Sequence, residues 1–206
     1  MEAGQVAQDP TAGGSAGWSP ADPGPLGLGA FAMTTFVLSM YNSHLINTSG
    51  LPVVLGLALF YGGLTQLLAG MWEFRTGNTF GAVAFCSYGA FWLSFWAINV
   101  FYAKLLSPTH AGKDVGVYLY GWAIFTSYMW VASFRTSGAV NLVFVLLAIT
   151  FWLLAIGNTG NHVNVIKIGG YFGLATAAAA WYASFAAVTN ATFKRTILPV
   201  VPLTRA

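Results

Sequence analysis

Few side chains in this 206-residue chain can do chemistry, and their spacing limits what that chemistry is. The acids are Glu2, Asp9, Asp22, Glu73 and Asp114. The first three precede the first long apolar run, and Asp114 sits in a link between two later ones. No two carboxylates share a run, which argues against a glycosidase-like pair or an aspartyl-protease-like dyad. His44, His110 and His162 show no metal-ligand spacing with one another or with the single cysteine, Cys86. No Ser/His/Asp constellation lies within an apolar run, and no phosphate-cradling Gly-rich loop of the recognised kinds is present. The expectation is therefore a protein with no catalytic residue, no metal and no cofactor: not an enzyme. One cysteine also rules out an intramolecular disulfide.

What remains is an ordered set of uncharged hydrogen-bonding groups. Phe31, Thr35, Ser39 and Asn42 fall at steps of four, four and three, on one helical face. Gly62, Gln66, Gly70 and Glu73 do the same on a second segment. Thr and Ser in helices ordinarily bond their own i−4 carbonyls, and Asn42 is equally placed to cap a helix end. Gln66 is different: an amide at mid-depth in an apolar run is costly without a partner, so it is expected to bond between helices or to serve function. Proton relays need a chain of buried carboxylates, which is missing. Glu73 and His44 are the titratable groups nearest the runs. Pro23-Gly24-Pro25-Leu26-Gly27-Leu28-Gly29 opens the first run, with Pro25 suited to a first helical turn. Backbone N–H groups there either make an anion-attracting spot, aided by the helix dipole, or simply begin a helix at a lipid interface.

The elements that must position these groups are legible in the charge pattern. The chain carries eight Lys and Arg and five Asp and Glu, is 57% hydrophobic, and has a mean hydropathy of +0.68. A soluble surface is normally about a quarter charged, so this chain must be solvated by lipid. Six stretches approach the roughly 20 apolar residues that cross a bilayer as a helix: Leu26–Ile46, Leu51–Met71, Thr79–Tyr102, Val115–Phe134, Ala139–Ile156 and Ile168–Val188. The fifth is the shortest. None alternates as a barrel strand would, so the fold class is an all-α membrane protein, a six-helix bundle. Three spans per half would give the halves opposite orientation, as in inverted-repeat transporters. The expected organisation is an N-terminal tail over residues 1–22, a transmembrane domain over 23–192 and a C-terminal tail over 193–206. Glycines in the spans are read as sites of close helix packing. Trp18, Trp72, Tyr102 and Tyr118 are natural interfacial residues, whereas Tyr88, Phe91 and Trp92 lie deeper. Arg75, Arg135, Lys194, Arg195 and Arg205 fall on the side of the termini, against Lys104, Lys113 and Lys167 on the other, which favours cytoplasmic termini.

Several stretches together resemble the acetate uptake transporter family, also called the GPR1/FUN34/YaaH family. Asp22-Pro23-Gly24-Pro25-Leu26-Gly27-Leu28 is similar to its NPAPLGL signature. Phe60-Tyr61-Gly62-Gly63 with Gln66, Ala69-Gly70-Met71-Trp72-Glu73, Gly77-Asn78-Thr79-Phe80-Gly81 and Ser87-Tyr88-Gly89-Ala90-Phe91-Trp92 follow in order. Leu154-Ala155-Ile156-Gly157-Asn158 and Arg195-Thr196-Ile197-Leu198-Pro199 complete the series. The resemblance implies six spans per subunit, a homo-hexamer in the plasma membrane, and passage of acetate and related short carboxylates such as succinate, linked to protons. It implies no nucleic acid partner. It also implies a hydrophobic narrowing at Phe31, Tyr88 and Leu147. The residues expected to bind substrate or to line the path with polar groups are Pro25, Leu26, Gly27, Thr35, Ser39, Asn42, Gln66, Glu73 and Asn158. Two positions depart from the signature: Asp22 stands where it has Asn, and Gly24 where it has Ala. Asp22 can cap the first helix as Asn would, but its charge opposes an incoming carboxylate. The competing readings are a channel for small neutral solutes and a non-transporting membrane assembly subunit.

Overall fold

The computed structural model describes Trp18 and residues 20–203. Apolar runs without breakers fold as six long helices: α1 Gly24–Asn42, α2 Pro52–Thr76, α3 Thr79–Leu105, α4 Ala111–Ser133, α5 Gly138–Thr159 and α6 Val163–Phe193. Their ends are marked by local chemistry. Pro25 and Pro52 sit in first turns. Asn78 and Ser137 cap α3 and α5 by accepting from Gly81 N–H and Val140 N–H. Gly77, at φ 78°, ends α2 in the left-handed conformation that glycine adopts without a Cβ clash. Two π-helical segments, Phe60–Thr65 in α2 and Ile98–Tyr102 in α3, widen the helices locally.

Five of the six helices are long and apolar enough to cross a membrane. The exception is α4, which opens with Lys113 and Asp114, yet at 23 residues it packs along α5 as the sixth span. The fifth span, expected to be the shortest, is instead a 22-residue helix and the most hydropathic of the five. Its polar ends, Gly138 and Asn158-Thr159, hide about one further turn. The protein is a multi-pass membrane protein.

Each helix packs on its sequence neighbours, and α6 closes the ring against α1. The α3–α4 pair is held by rings rather than by close backbones: Phe91 lies 5.8 Å from Tyr118 and 5.2 Å from Trp122, centroid to centroid. The helices alternate in direction, so α1–α3 and α4–α6 run oppositely. Asp22, just before α1, and Val200, after α6, lie on the face where α1 begins, here called the inner face. Trp18, Trp72 and Tyr102 are exposed, as interfacial residues should be, and Arg75 stacks 5.8 Å from the Trp18 ring centre. Tyr118 is different. It turns into the bundle and donates to the Phe91 carbonyl at 3.1 Å.

Small residues set the closest approaches. A Cβ on Gly70 of α2 would sit 2.5 Å from the Cys86 backbone nitrogen of α3, and one on Gly170 of α6 would sit 2.6 Å from the carbonyl carbon of Asn42. Neither obstacle is a side chain that can rotate away. Gly70→Ala is expected to destabilise the protein by about 1–3 kcal/mol through overpacking. Gly56→Ala, which meets nothing within 4 Å, is expected to leave the melting temperature in detergent within a degree or two of wild type or raise it slightly through helix propensity. Equal melting temperatures for the two variants would contradict the packing argument.

Candidate conduit and its neck

Two cavities enter the bundle from opposite faces. The outer one, about 470 Å³, is bounded by α1, α3, α4 and α5 and reaches down to Phe31 and Leu147. The inner one, about 250 Å³, is bounded by Pro25, Glu73, Asn78, Phe80, Val140 and Phe144, among others. The division falls at the same level on three helices. On α1 the inner cavity takes Pro25 and Leu28, and the outer takes Phe31, Thr35 and Ser39. On α3 it is Phe80 and Ala84 against Phe91 and Phe95, with Tyr88 between and lining neither. On α5 it is Val140 and Phe144 against Leu147 and Phe151.

The residues at that level form an apolar plug. Phe31, Tyr88 and Leu147 are buried in one core cluster at 4%, 2% and 3% exposure. The Tyr88 ring lies 5.7 Å from that of Phe31, 6.1 Å from Phe144 and 6.5 Å from Phe151. Its hydroxyl is bonded to Thr126 Oγ1 at 2.9 Å, which fixes the ring from α4. The side chains expected to narrow the passage are thus brought together.

Above the neck the lining is aromatic with scattered polar groups. Thr35, Ser39, Asn42 and Asn158 all face the outer cavity. Thr35 does not bond its own helix: Oγ1 is buried without a partner among the described residues, whereas neighbouring Thr34 donates to the Ala30 carbonyl at 2.9 Å. Trp92 Nε1, in the same wall, is likewise unpartnered. Asn158 donates to the Leu154 carbonyl at 2.7 Å and Asn99 to the Phe95 carbonyl at 2.8 Å.

Below the neck sits a carboxylate network. Glu73 Oε2 accepts from Asn78 Nδ2 at 2.9 Å and from Thr76 Oγ1 at 3.1 Å, with Glu73 2% exposed. Asn78 therefore does two jobs, since its Oδ1 caps α3. Asp22 Oδ1 accepts the Gly24 N–H at 2.8 Å. That donor of the α1 start is satisfied within the chain, so it is not left free as an anion-attracting group.

Three residues expected to line the path do not. Leu26 is 48% exposed on the outside of the bundle, and a Cβ on Gly27 would meet the Phe85 ring at 2.7 Å. Of Pro25, Leu26 and Gly27, only Pro25 lines the cavity. Gln66 is buried at 1% exposure, lines neither cavity, and its Oε1 has no partner among the described residues. Asn78, within the motif Gly77-Asn78-Thr79-Phe80-Gly81, is a further member of the site. The signal was present in its position just before a helix and five residues after Glu73. Thr126, Phe144 and Phe151 carried no comparable signal.

Comparison with known proteins agrees with this architecture. The solved structure entitled "Structure of the bacterial acetate channel SatP" superposes with a TM-score of 0.82 at 38% identity, covering 88% of this chain and 99% of that one. Succinate-acetate/proton symporter SatP of Escherichia coli K12 is 39% identical over 180 residues, 87% of this chain and 95% of that protein. Ammonia transport outward protein 2 of Saccharomyces cerevisiae is 44% identical over 175 residues, 82% of this chain; the match spans 62% of the yeast protein's own length. The profile of the GPR1/FUN34/yaaH family matches residues 10–205, and the chain belongs to that family.

Proposed function

We propose that the chain carries acetate and related short carboxylates, succinate among them, across the plasma membrane through this conduit, with transport linked to protons. The observation that carries the reading is the in-register neck of Phe31, Tyr88 and Leu147 between two polar-dotted cavities. A bare carboxylate in hydrocarbon costs on the order of tens of kcal/mol in an idealised estimate, so it needs water and donors up to the neck. The neck is short, and an oily constriction hinders a hydrated ion by dewetting while accepting a small methyl end. The similarity to proteins named for acetate and succinate transport supports the substrate class. In this reading Glu73 is the proton-linked group of the inner vestibule, and residues 23–192 are the transporting domain. The inner face, which bears Arg75, Arg135, Lys194 and Arg195, is cytoplasmic. Exposed apolar residues such as Phe60 and Phe185 face lipid or neighbouring copies in a homo-hexamer.

Purified protein in liposomes should take up labelled acetate, and faster with an inward proton gradient. Uptake of ammonia or urea without acetate would instead establish a neutral-solute channel, the reading favoured by the yeast relative's name. No flux of any of these would point to a non-transporting subunit. Asp22 sharpens the test, because its carboxylate lines the inner vestibule that a carboxylate must cross. Asp22→Asn keeps the cap on Gly24 and removes the repulsion. It should lower the half-saturating acetate concentration on the inner face by about threefold, which converts to about 0.7 kcal/mol. The shift should shrink at high salt as screening grows.

A further inference from the structure

The segment after α6 folds back as a strap beside the inner vestibule, to whose wall it contributes Val200. Lys194, at φ 53°, turns the chain back, and Asn190 of α6 then clasps it. Its Oδ1 accepts from Ile197 N–H at 2.7 Å and Leu198 N–H at 2.9 Å, and its Nδ2 donates to the Leu198 carbonyl at 2.8 Å. Tyr182 donates its hydroxyl to the Pro199 carbonyl at 2.7 Å. Beyond that the strap runs antiparallel to the start of α5. Gly138 N–H donates to the Val201 carbonyl at 2.7 Å, Ala139 N–H to Val200 at 3.2 Å, and Leu203 N–H to Thr136 at 3.0 Å. An isolated bridge joins Ser137 to Pro202. Val200 is part of the vestibule wall, beside Ser137 and Val140.

This attachment is made of hydrogen bonds with almost no burial. From Lys194 to Leu203 no side chain is buried, and Val201 is 61% exposed. Val201 also sits at φ 51°, a left-handed conformation that a β-branched residue adopts only under strain. Exchangeable bonds, unburied apolar side chains and local strain together describe a segment that opens at a small fraction of the global unfolding free energy. Its bonds also satisfy two N–H groups of the α5 start, those of Gly138 and Ala139, which have no partner within the helix.

We propose that residues 197–203 are a displaceable lid on the inner vestibule, held shut by Asn190 and Tyr182 and opening by detachment from the start of α5. Detachment removes Val200 from the wall and widens the route to the neck. The effect on transport rests on the carboxylate reading above; the effect on access does not.

The test uses the full chain in liposomes, with Cys86→Ser as background. Val140→Cys reports vestibule access through its rate of labelling by a water-soluble maleimide. Asn190→Ala with Tyr182→Phe should raise that rate about tenfold. A lock is available in Gly138→Cys with Val201→Cys, because a Cβ on Gly138 lies 3.2 Å from Val201 Cβ, close to the roughly 3.5–4.5 Å of a disulfide. Oxidising the locked chain should slow labelling at Val140→Cys, read at that position by peptide mass, and cut acetate uptake at least fivefold, with both restored once dithiothreitol has reduced the disulfide and been removed. Labelling rates unmoved by either manipulation would overturn the lid. Slower labelling with undiminished uptake would overturn its role as a barrier to the substrate. Absence of acetate uptake in every form, including wild type, would refute the carboxylate reading while the labelling rates still decided the lid.

Discussion

Replacing Phe31, Tyr88 and Leu147 together by alanine is expected to raise acetate flux about tenfold and to admit larger monocarboxylates that the wild-type protein rejects. The three side chains fill the level between the two cavities, and all are at most 4% exposed. Truncating them joins the outer 470 Å³ and inner 250 Å³ spaces and lets water follow the ion, which removes the dewetting barrier. A tenfold gain corresponds to about 1.4 kcal/mol off the barrier. Single substitutions should differ in a way the geometry dictates. Tyr88→Phe keeps the ring but loses the bond to Thr126, so it should loosen selectivity less than Tyr88→Ala. Radiolabelled uptake into liposomes, compared across acids of increasing size, reads both effects. Flux and size cut-off identical to wild type in the triple variant would refute the neck as the barrier. A melting-temperature check separates that result from a misfolded bundle.

The second large effect is expected at Glu73. Glu73→Gln should abolish the acceleration of acetate uptake by an inward proton gradient, while leaving slow downhill exchange of acetate. Glu73 is buried at the inner vestibule and holds Asn78 and Thr76, so the carboxylate is positioned by two donors. The amide keeps the shape and can still accept from Asn78, but it cannot exchange a proton with the vestibule. Uptake with and without an imposed pH gradient, together with counterflow at equal pH, separates driving from passage. A Glu73→Gln protein that still responds fully to the gradient would remove Glu73 from proton coupling. Asn78→Asp provides a further check, because it keeps the cap on α3 yet places a second carboxylate against the first.

The polar register along α1 was legible in the residues themselves. Thr35, Ser39 and Asn42 reach the outer cavity because steps of three and four keep one helical face, and any helix of that sequence presents them together. The same arithmetic places Leu26 off that face, whereas Gly27, four residues before Phe31, falls at its edge and is closed off by the Phe85 ring packed against it. They had entered the expected lining through a contiguous motif, and contiguity in a motif is not contiguity on a helix. Gln66 shows a different limit. Its cost at depth was legible, but whether the amide meets a cavity, another helix or neither depends on the rotation of α2, which its own segment does not state. Tyr118 failed as an interfacial residue for the same reason: an aromatic near a span end suits headgroups or a cavity wall, and only the placement of α3 beside α4 decides between them.

Hydropathy and the scarcity of charge in the chain determined lipid solvation, six spans and the α1 stripe, because each follows from covalent order and the period of a helix. Only the tertiary structure decided that Phe31, Tyr88 and Leu147 meet at one level, that Thr126 anchors the tyrosine, and that the segment after α6 folds back beside the vestibule. Those facts depend on how far each helix slides and turns against its neighbours. That sliding is set by where glycines such as Gly70 and Gly170 let two backbones touch, a property of pairs of segments distant in sequence and therefore of neither segment alone.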